Sequence, residues 1–295
     1  GFLYTVSTSD VVIDIFISPE ITKEDVISFL WENLGRIIQL EHSRDGYLKY
    51  VPAKIAQKKI FGSTNEIIAE LNNDYSYFKE NKLSRGYLLI GKPGTGKSAV
   101  VNSIIKNTEG SVFIINGLDT VESVEEMTSL FTQMRPDFIV FDDCDRSFDE
   151  PHFIKVVLGM LETIKEHNPC TNFLFTANTF SGILQDEAVT RKGRIDQIFE
   201  IPEPNEDDRR EIFKGYIKDM GLDIPSEDFE KCIEFSDGLT GADIKELCIQ
   251  LQRSTIDDVF ERFKEIENLR EKYSKDETSD LSILKKIAAL ADRED

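Results

Sequence analysis

Residues Gly91–Ser98 read GKPGTGKS, and they lie between the apolar run Tyr87–Ile90 and the stretch Ala99–Lys106, which suits a helix. Glycine reaches backbone conformations that a side chain forbids, so a loop with three glycines can wrap closely around a ligand. The backbone N–H groups of such a loop, and the positive end of the helix after it, favour anions. Strand, loop and helix in this order predict a site for the phosphates of a nucleotide.

Two side chains of this loop have specific expected roles. Lys97 is placed to reach the β and γ phosphates, and the Ser98 hydroxyl to bind a magnesium ion. The residues expected to contact the nucleotide from this loop are Gly91, Pro93, Gly94, Thr95, Gly96, Lys97, Ser98 and Ala99.

A second motif, FIVFDDCD at Phe138–Asp145, is an apolar strand that ends in carboxylates. Ligands of parallel sheets bind at the carboxyl ends of the strands. We expect Asp142 to hold magnesium, directly or through water, and Asp143 to act as the general base for an attacking water. The alternative is that these acids only cap the next helix.

The region from residue 87 to about 201 alternates short apolar runs with helical stretches. The strands expected are Tyr87–Ile90, Val112–Ile115, Phe138–Phe141, Phe173–Thr176 and Ile198–Ile201. This alternation predicts an α/β fold, a parallel five-stranded sheet with helices on both faces. Only helical patterns follow Pro204, at Glu206–Asp219, at Glu227–Phe235 and from Gly241 onward, and they predict a helical second domain.

Residues 1–58 predict a separate small α/β module. Its expected elements are strands at Val11–Ile17, Arg36–Leu40 and Tyr47–Val51, and a helix at Thr22–Leu34. The domains expected are therefore 1–58, 59–203, 204–264 and a C-terminal helical extension, 265–295. An apolar stripe between Ile256 and Ile266 indicates either ordinary packing or contact with a neighbouring subunit or partner.

Five motifs together resemble a known family. GKPGTGKS, FIVFDDCD, FTAN at Phe175–Asn178, RKGRID at Arg191–Asp196 and GLTGAD at Gly238–Asp243 occur in the order and spacing of AAA ATPases. The resemblance covers about residues 60–262. It implies ATP and Mg²⁺ as cofactors, and ATP hydrolysis between the subunits of a homo-oligomeric ring, for which we expect a hexamer.

The resemblance also implies roles for single residues. Asn178 corresponds to the sensor that positions the lytic water and reads the γ phosphate. Arg191 and Arg194 correspond to arginine fingers donated to the ATP of the neighbouring subunit, where a guanidinium neutralises charge that develops in phosphoryl transfer.

Two further pairs match less distinctive parts of the family pattern. Gly241 and Ala242 resemble the second sensor, a small-residue contact near the nucleotide in the helical lid. Phe61 and Gly62 lie where the family has a hydrophobic residue and glycine near adenine, and plain packing is the alternative for them.

The chain departs from the family at two places. Asp143 stands where the catalytic acid is usually glutamate, so turnover is expected to be slower. The segment Asn116–Thr120 contains no aromatic residue, unlike the loop of members that thread a chain. The short stretch of chain between this segment and Phe138 carries a weaker resemblance to the mitochondrial Rieske-protein translocase branch, whose members move a folded substrate. Alternatively, a loop without an aromatic residue does not hold a substrate.

The amino-acid composition limits the kinds of partner that we expect for the chain. The chain has 35 basic and 55 acidic residues, a net charge of −20, so repulsion opposes binding to phosphate backbones, and a nucleic-acid motor or loader is disfavoured. No run approaches the ~18 apolar residues of a membrane span, and the described motifs indicate no membrane contact. Four cysteines without metal-like spacing predict buried thiols in the cytoplasm or another reducing compartment.

Two hypotheses remain after these exclusions. The first is an enzyme whose ATP hydrolysis remodels or translocates a protein substrate or adaptor. The second is a slowly hydrolysing, nucleotide-dependent scaffold or switch whose assembly is itself the output.

Overall fold

The computed structural model describes most of the region that carries the motifs. The described residues are 3–7, 12–16, 36–42, 48–53, 55, 60–116, 121–144, 151–179 and 193–266. The predicted helix Thr22–Leu34, the part of the predicted C-terminal extension after residue 266 and Arg191 lie outside them. The chain divides into two compact units, Gly1–Pro204 and Asn205–Asp295.

The first unit is built on one twisted sheet of nine described strands in the order β2-β1-β4-β3-β6-β7-β8-β5-β9. The strands are β1 (Leu3–Ser7), β2 (Val12–Phe16), β3 (Ile37–His42), β4 (Leu48–Pro52), β5 (Gly86–Ile90), β6 (Val112–Asn116), β7 (Phe138–Asp142), β8 (Asn172–Ala177) and β9 (Gln197–Glu200). The five strands from β5 onward are parallel to one another. The predicted α/β fold class is therefore confirmed.

The N-terminal strands extend this sheet instead of forming a sheet of their own. Strand β3 pairs in parallel with β6, with Ile37 opposite Val112 and Leu40 opposite Ile115. Ile38 and Leu40 are buried in the same core as the helices described below. The sequence pattern did not predict this, because an edge pairing leaves no local signal in either strand.

Helices cover both faces of the sheet, as predicted. They are α1 (Thr64–Glu80), α2 (Lys97–Asn107), α3 (Val121–Met134) and α4 (Pro151–His167). Side chains of α1 and α2 form one core with strand residues such as Leu89 and Val140. Side chains of α3 and α4 form the other core with residues such as Phe141 and Phe175. Alternate residues of each buried strand thus serve opposite cores, which explains why these strands are apolar throughout.

Helix α1 begins without a side-chain cap, although Ser63–Glu66 has the residue spacing of a capping box. Ser63 has helical φ and ψ and makes no side-chain capping hydrogen bond to α1. The first turn instead uses backbone bonds, from Asn65 N–H to the Gly62 carbonyl and from Glu66 N–H to the Ser63 carbonyl.

The second unit contains helices α5 (Glu206–Met220), α6 (Ser226–Phe235) and α7 (Gly241–Leu251), followed by a helix described over residues 256–266. Asn205 and Thr240 form capping boxes with Asp208 and Asp243, and these boxes fix where α5 and α7 begin. None of the described helices in either unit is long and apolar enough to cross a membrane.

Candidate active site

The glycine-rich loop connects β5 to α2 as the sequence predicted. Gly94 and Gly96 have φ values of 85° and 115°, in the region that favours glycine. At Gly91 the reason is space, because a Cβ atom would lie 2.5 Å from the Ile201 carbonyl oxygen and 2.8 Å from Thr95 Oγ1. The loop is therefore held close to the chain after β9.

Lys97 is the buried cation of this loop, with 7% of its surface exposed. Its Nζ atom donates to the carbonyl oxygens of Gly91, at 2.5 Å, and Lys92, at 3.2 Å. It also donates to Oδ1 of Asn178, at 2.7 Å. The lysine thus joins the loop to Asn178, which directly follows β8.

The two acids, Asp142 and Asp143, lie at the carboxyl end of β7. Asp142 is half-buried and accepts a hydrogen bond at its Oδ1 from Thr176 Oγ1, at 2.6 Å. Asp143 is exposed and has a φ of 51°, a left-handed conformation that aspartate tolerates better than most residues. Its backbone N–H donates to the same Thr176 oxygen, at 2.8 Å. Thr176 is fully buried on β8.

The donor set suits magnesium. Carboxylate and hydroxyl oxygens are the ligands that Mg²⁺ prefers, and it commonly takes one or two from the protein and the rest from water and phosphate. Ser98 and Asp142 would supply such oxygens together with the phosphates. Among the described residues no group of three or more His, Cys, Asp or Glu side chains could hold a metal. Hydrogen bonding of Thr176 to Oδ1 leaves Oδ2 of Asp142 for a cation.

The loop that carries Arg194 lies at the opposite end of β5. Asp196 accepts from the backbone N–H of Gly86, at 2.9 Å, and of Gly193, at 2.7 Å. Gly86 begins β5 and Gly91 follows its end, so about 16 Å of strand separates Arg194 from the phosphate loop. The guanidinium of Arg194 pairs with Glu162 on α4, at 2.6 Å.

A half-buried lysine supports the same loop. Lys165 on α4 donates to the Gly193 carbonyl and lies 4.0 Å from Asp196. Burial lowers the pKa of Lys165, and the nearby Asp196 carboxylate opposes that shift.

The other predicted contacts have these positions. Pro93 is exposed, Thr95 and Ser98 are half-buried, and Ala99 is buried at the start of α2. Phe61 and Gly62 directly precede α1, and Gly62 has a φ of 51°. Gly241 and Ala242 form the first turn of α7 in the second unit.

Three site features were not predicted from the sequence. Thr176 and Asp196 anchor the two key loops, and Lys92 forms an ion pair with Glu203 across the phosphate loop. A polar residue inside the otherwise apolar strand Phe173–Ala177 was the available signal for Thr176. The prediction of buried thiols was wrong for Cys170, which is exposed, while Cys144, Cys232 and Cys248 are buried.

Fold and site together define a P-loop nucleotide-binding domain in which β8 separates the phosphate-loop strand from the acidic strand. Residues 87–203 match the family described as ATPase family associated with various cellular activities (AAA). These residues therefore match a domain of the AAA ATPase family, and the resemblance predicted from the motifs is confirmed for this part of the chain.

Several curated relatives share this region. The chain is 25% identical over 233 residues to proteasome-activating nucleotidase 1 of Haloferax volcanii, which covers 73% of this chain and 57% of the relative. It is 28% identical over 193 residues to the proteasome-activating nucleotidase of Saccharolobus islandicus, covering 59% and 48%. For that of Methanopyrus kandleri the values are 26% over 183 residues, covering 56% and 42%. The chain spans about half the length of these relatives.

Proposed function

We propose that this chain binds ATP at Gly91–Ala99 and hydrolyses it to ADP and phosphate. The observation that carries the proposal is the contact of buried Lys97 with Asn178, which brings the cation of the phosphate loop to the sensor position. Water attacks the γ phosphorus while the bond from that phosphorus to the bridging oxygen breaks and ADP leaves, and Asp143 accepts the proton that the water loses. Ser98 and Asp142 would hold a magnesium ion, which would neutralise charge on the phosphates when it is bound.

The proposed reaction is completed by a second subunit. Arg194 is separated from its own phosphate loop by the length of β5, which supports a role at the ATP of a neighbour in a homo-oligomeric ring, a hexamer by resemblance to the family. Arg191 is assigned to the same role on its sequence alone. The neutralisation of the charge that develops on the γ phosphate would then depend on assembly of the ring.

The proposed output is the remodelling or translocation of a protein. The names of the archaeal relatives associate them with a proteasome, and this supports a protein partner for the present chain. A net charge of −20 favours such a partner over nucleic acid. The lack of an aromatic residue at Asn116–Thr120 favours a folded substrate, as in the Rieske-protein translocase branch.

A second candidate is a slowly hydrolysing switch, in which nucleotide-dependent assembly is the output. The geometry of Asp143 favours it, because the residue is one methylene shorter than glutamate and its backbone is held at a φ of 51°. The shorter carboxylate reaches less far toward an attacking water.

Steady-state turnover measured together with particle mass separates these proposals. The enzyme hypothesis predicts that the chain assembles into a ring with a non-hydrolysable ATP analogue. It also predicts that ATP hydrolysis, measured separately, rises with assembly. The switch predicts assembly with turnover near background. Calorimetry that detects no binding of adenine nucleotides contradicts both.

A further inference from the structure

A single buried hydroxyl connects both acids of the site. The pairing of Phe141 with Phe175 brings the next residue of each strand side by side, and these are Asp142 and Thr176. Thr176 Oγ1 lies 2.6 Å from Asp142 Oδ1 and 2.8 Å from the Asp143 backbone nitrogen.

The direction of these hydrogen bonds is determined by chemistry. A backbone N–H can only donate, so the Thr176 oxygen accepts from Asp143. The one hydroxyl proton of Thr176 is then available for the Asp142 carboxylate, which accepts it. One side chain therefore orients the proposed magnesium ligand and holds the backbone turn that projects the proposed base.

The backbone at Asp143 needs such support. A φ of 51° is uncommon for a residue with a side chain and persists where the surroundings determine it. A second bond, from Cys144 N–H to the Thr176 carbonyl at 2.9 Å, holds the same turn from the next residue. Burial of Thr176 excludes water as a substitute partner for its hydroxyl.

We infer that Thr176 is a positioning residue for ATP hydrolysis, acting through Asp142 and Asp143 without touching the nucleotide. The inference rests on the proposed function. Valine has the same shape as threonine and lacks the hydroxyl, so Thr176→Val removes both hydrogen bonds while filling the same space.

Thr171 provides a matched control. It is also buried, it directly precedes β8 at the strand's other end, and its hydroxyl donates to the Pro136 carbonyl at 2.7 Å. Thr171→Val therefore removes a comparable buried hydrogen bond far from the acids.

The experiment compares kcat, KM for ATP and melting temperature for the wild type, Thr176→Val, Thr176→Ser and Thr171→Val. We expect Thr176→Val to lower kcat by about tenfold to a hundredfold, the range for losing hydrogen bonds to charged groups, with KM changed less than about threefold. Thr176→Ser retains the hydroxyl and should restore most of kcat. Thr171→Val should lower the melting temperature similarly with kcat within about twofold of the wild type.

Binding supplies a readout that does not depend on turnover. Calorimetry measures the affinity for a non-hydrolysable ATP analogue, once with magnesium and once with a chelator. The ratio of the two affinities is the enhancement of binding by the metal. Thr176→Val should reduce this enhancement, and Thr176→Ser and Thr171→Val should keep it.

The inference is overturned if Thr176→Val has wild-type kcat and metal enhancement, if Thr171→Val loses kcat equally, or if serine restores nothing. A wild-type chain that neither binds nor hydrolyses ATP would contradict the proposed function itself, which distinguishes the two failures.

Discussion

Nζ of Lys97 lies 2.7 Å from Oδ1 of Asn178, although 81 residues separate them in the chain. The contact follows from the sheet, because β5 and β8 are neighbours with Ile90 opposite Ala177. The residues after these two strands therefore emerge together. This proximity supports the proposed role of Asn178 as a sensor of the γ phosphate.

Replacement of Lys97 by alanine should strongly weaken ATP binding. Loss of a charge-assisted contact weakens affinity by about tenfold to a hundredfold, and the phosphates lose the buried cation of the loop. Calorimetry measures the change. Lys92→Ala is the control, because Lys92 lies in the same loop with its side chain 69% exposed and paired with Glu203. Undiminished affinity of Lys97→Ala would contradict the assignment.

Asp143→Asn should stop hydrolysis while preserving ATP binding. Asparagine tolerates the left-handed backbone as aspartate does, so the turn is retained and only the proton acceptor is lost. A general base contributes about 10² to 10⁴ in rate, and a coupled phosphate-release assay can detect that loss. Turnover equal to the wild type would assign the base elsewhere.

Arg194→Ala should lower turnover only in the assembled form. Removing an arginine finger lowers kcat by a factor of about 10³ to 10⁵. A dilute monomer receives no arginine from a neighbour, so its turnover should not change. The assay is turnover as a function of protein concentration. Glu162→Gln breaks the ion pair seen with Arg194 but keeps the guanidinium, so it tests whether any effect arises from that pair alone. An equal loss in dilute monomer would oppose the intersubunit role.

Alanine at Gly91 should destabilise the first unit, whereas alanine at Gly159 should not. The Cβ at Gly91 meets the Ile201 carbonyl oxygen at 2.5 Å, while no atom lies within 4 Å of one at Gly159. We expect a loss of about 1–3 kcal/mol at Gly91 from overpacking. At Gly159, in the interior of α4, we expect a gain of about 0.5–1 kcal/mol from helix propensity. Urea unfolding measures both, and equal effects would refute the close approach.

Thiol labelling should distinguish one cysteine from the other three. Burial raises the pKa of Cys232 to about 11 and that of Cys248 to about 12, so at pH 8 almost none of either is the reactive thiolate. Cys144 is buried as well, and Cys170 is exposed. A chromogenic disulfide reagent should therefore titrate one thiol per native chain and four after denaturation. A second fast thiol would contradict the burial.

Local signals in the sequence were sufficient for the main elements of the sheet. Each of the five parallel strands was predicted within about a residue. For the inner strands the reason is that a strand buried on both faces must be apolar along its whole length. The glycine-rich loop was predicted for a similar reason, since its backbone conformations at Gly94 and Gly96 restrict the residue type.

The partners of these residues were decided only by tertiary structure. Thr176 touches both acids because β7 and β8 are paired in one register, and β3 joins β6 through an edge that carries no local pattern. By itself the sequence determined which chemical groups the chain carries at its strand ends. Which groups meet was decided by strand order and register, since hydrogen bonds between distant segments depend on the positions of both.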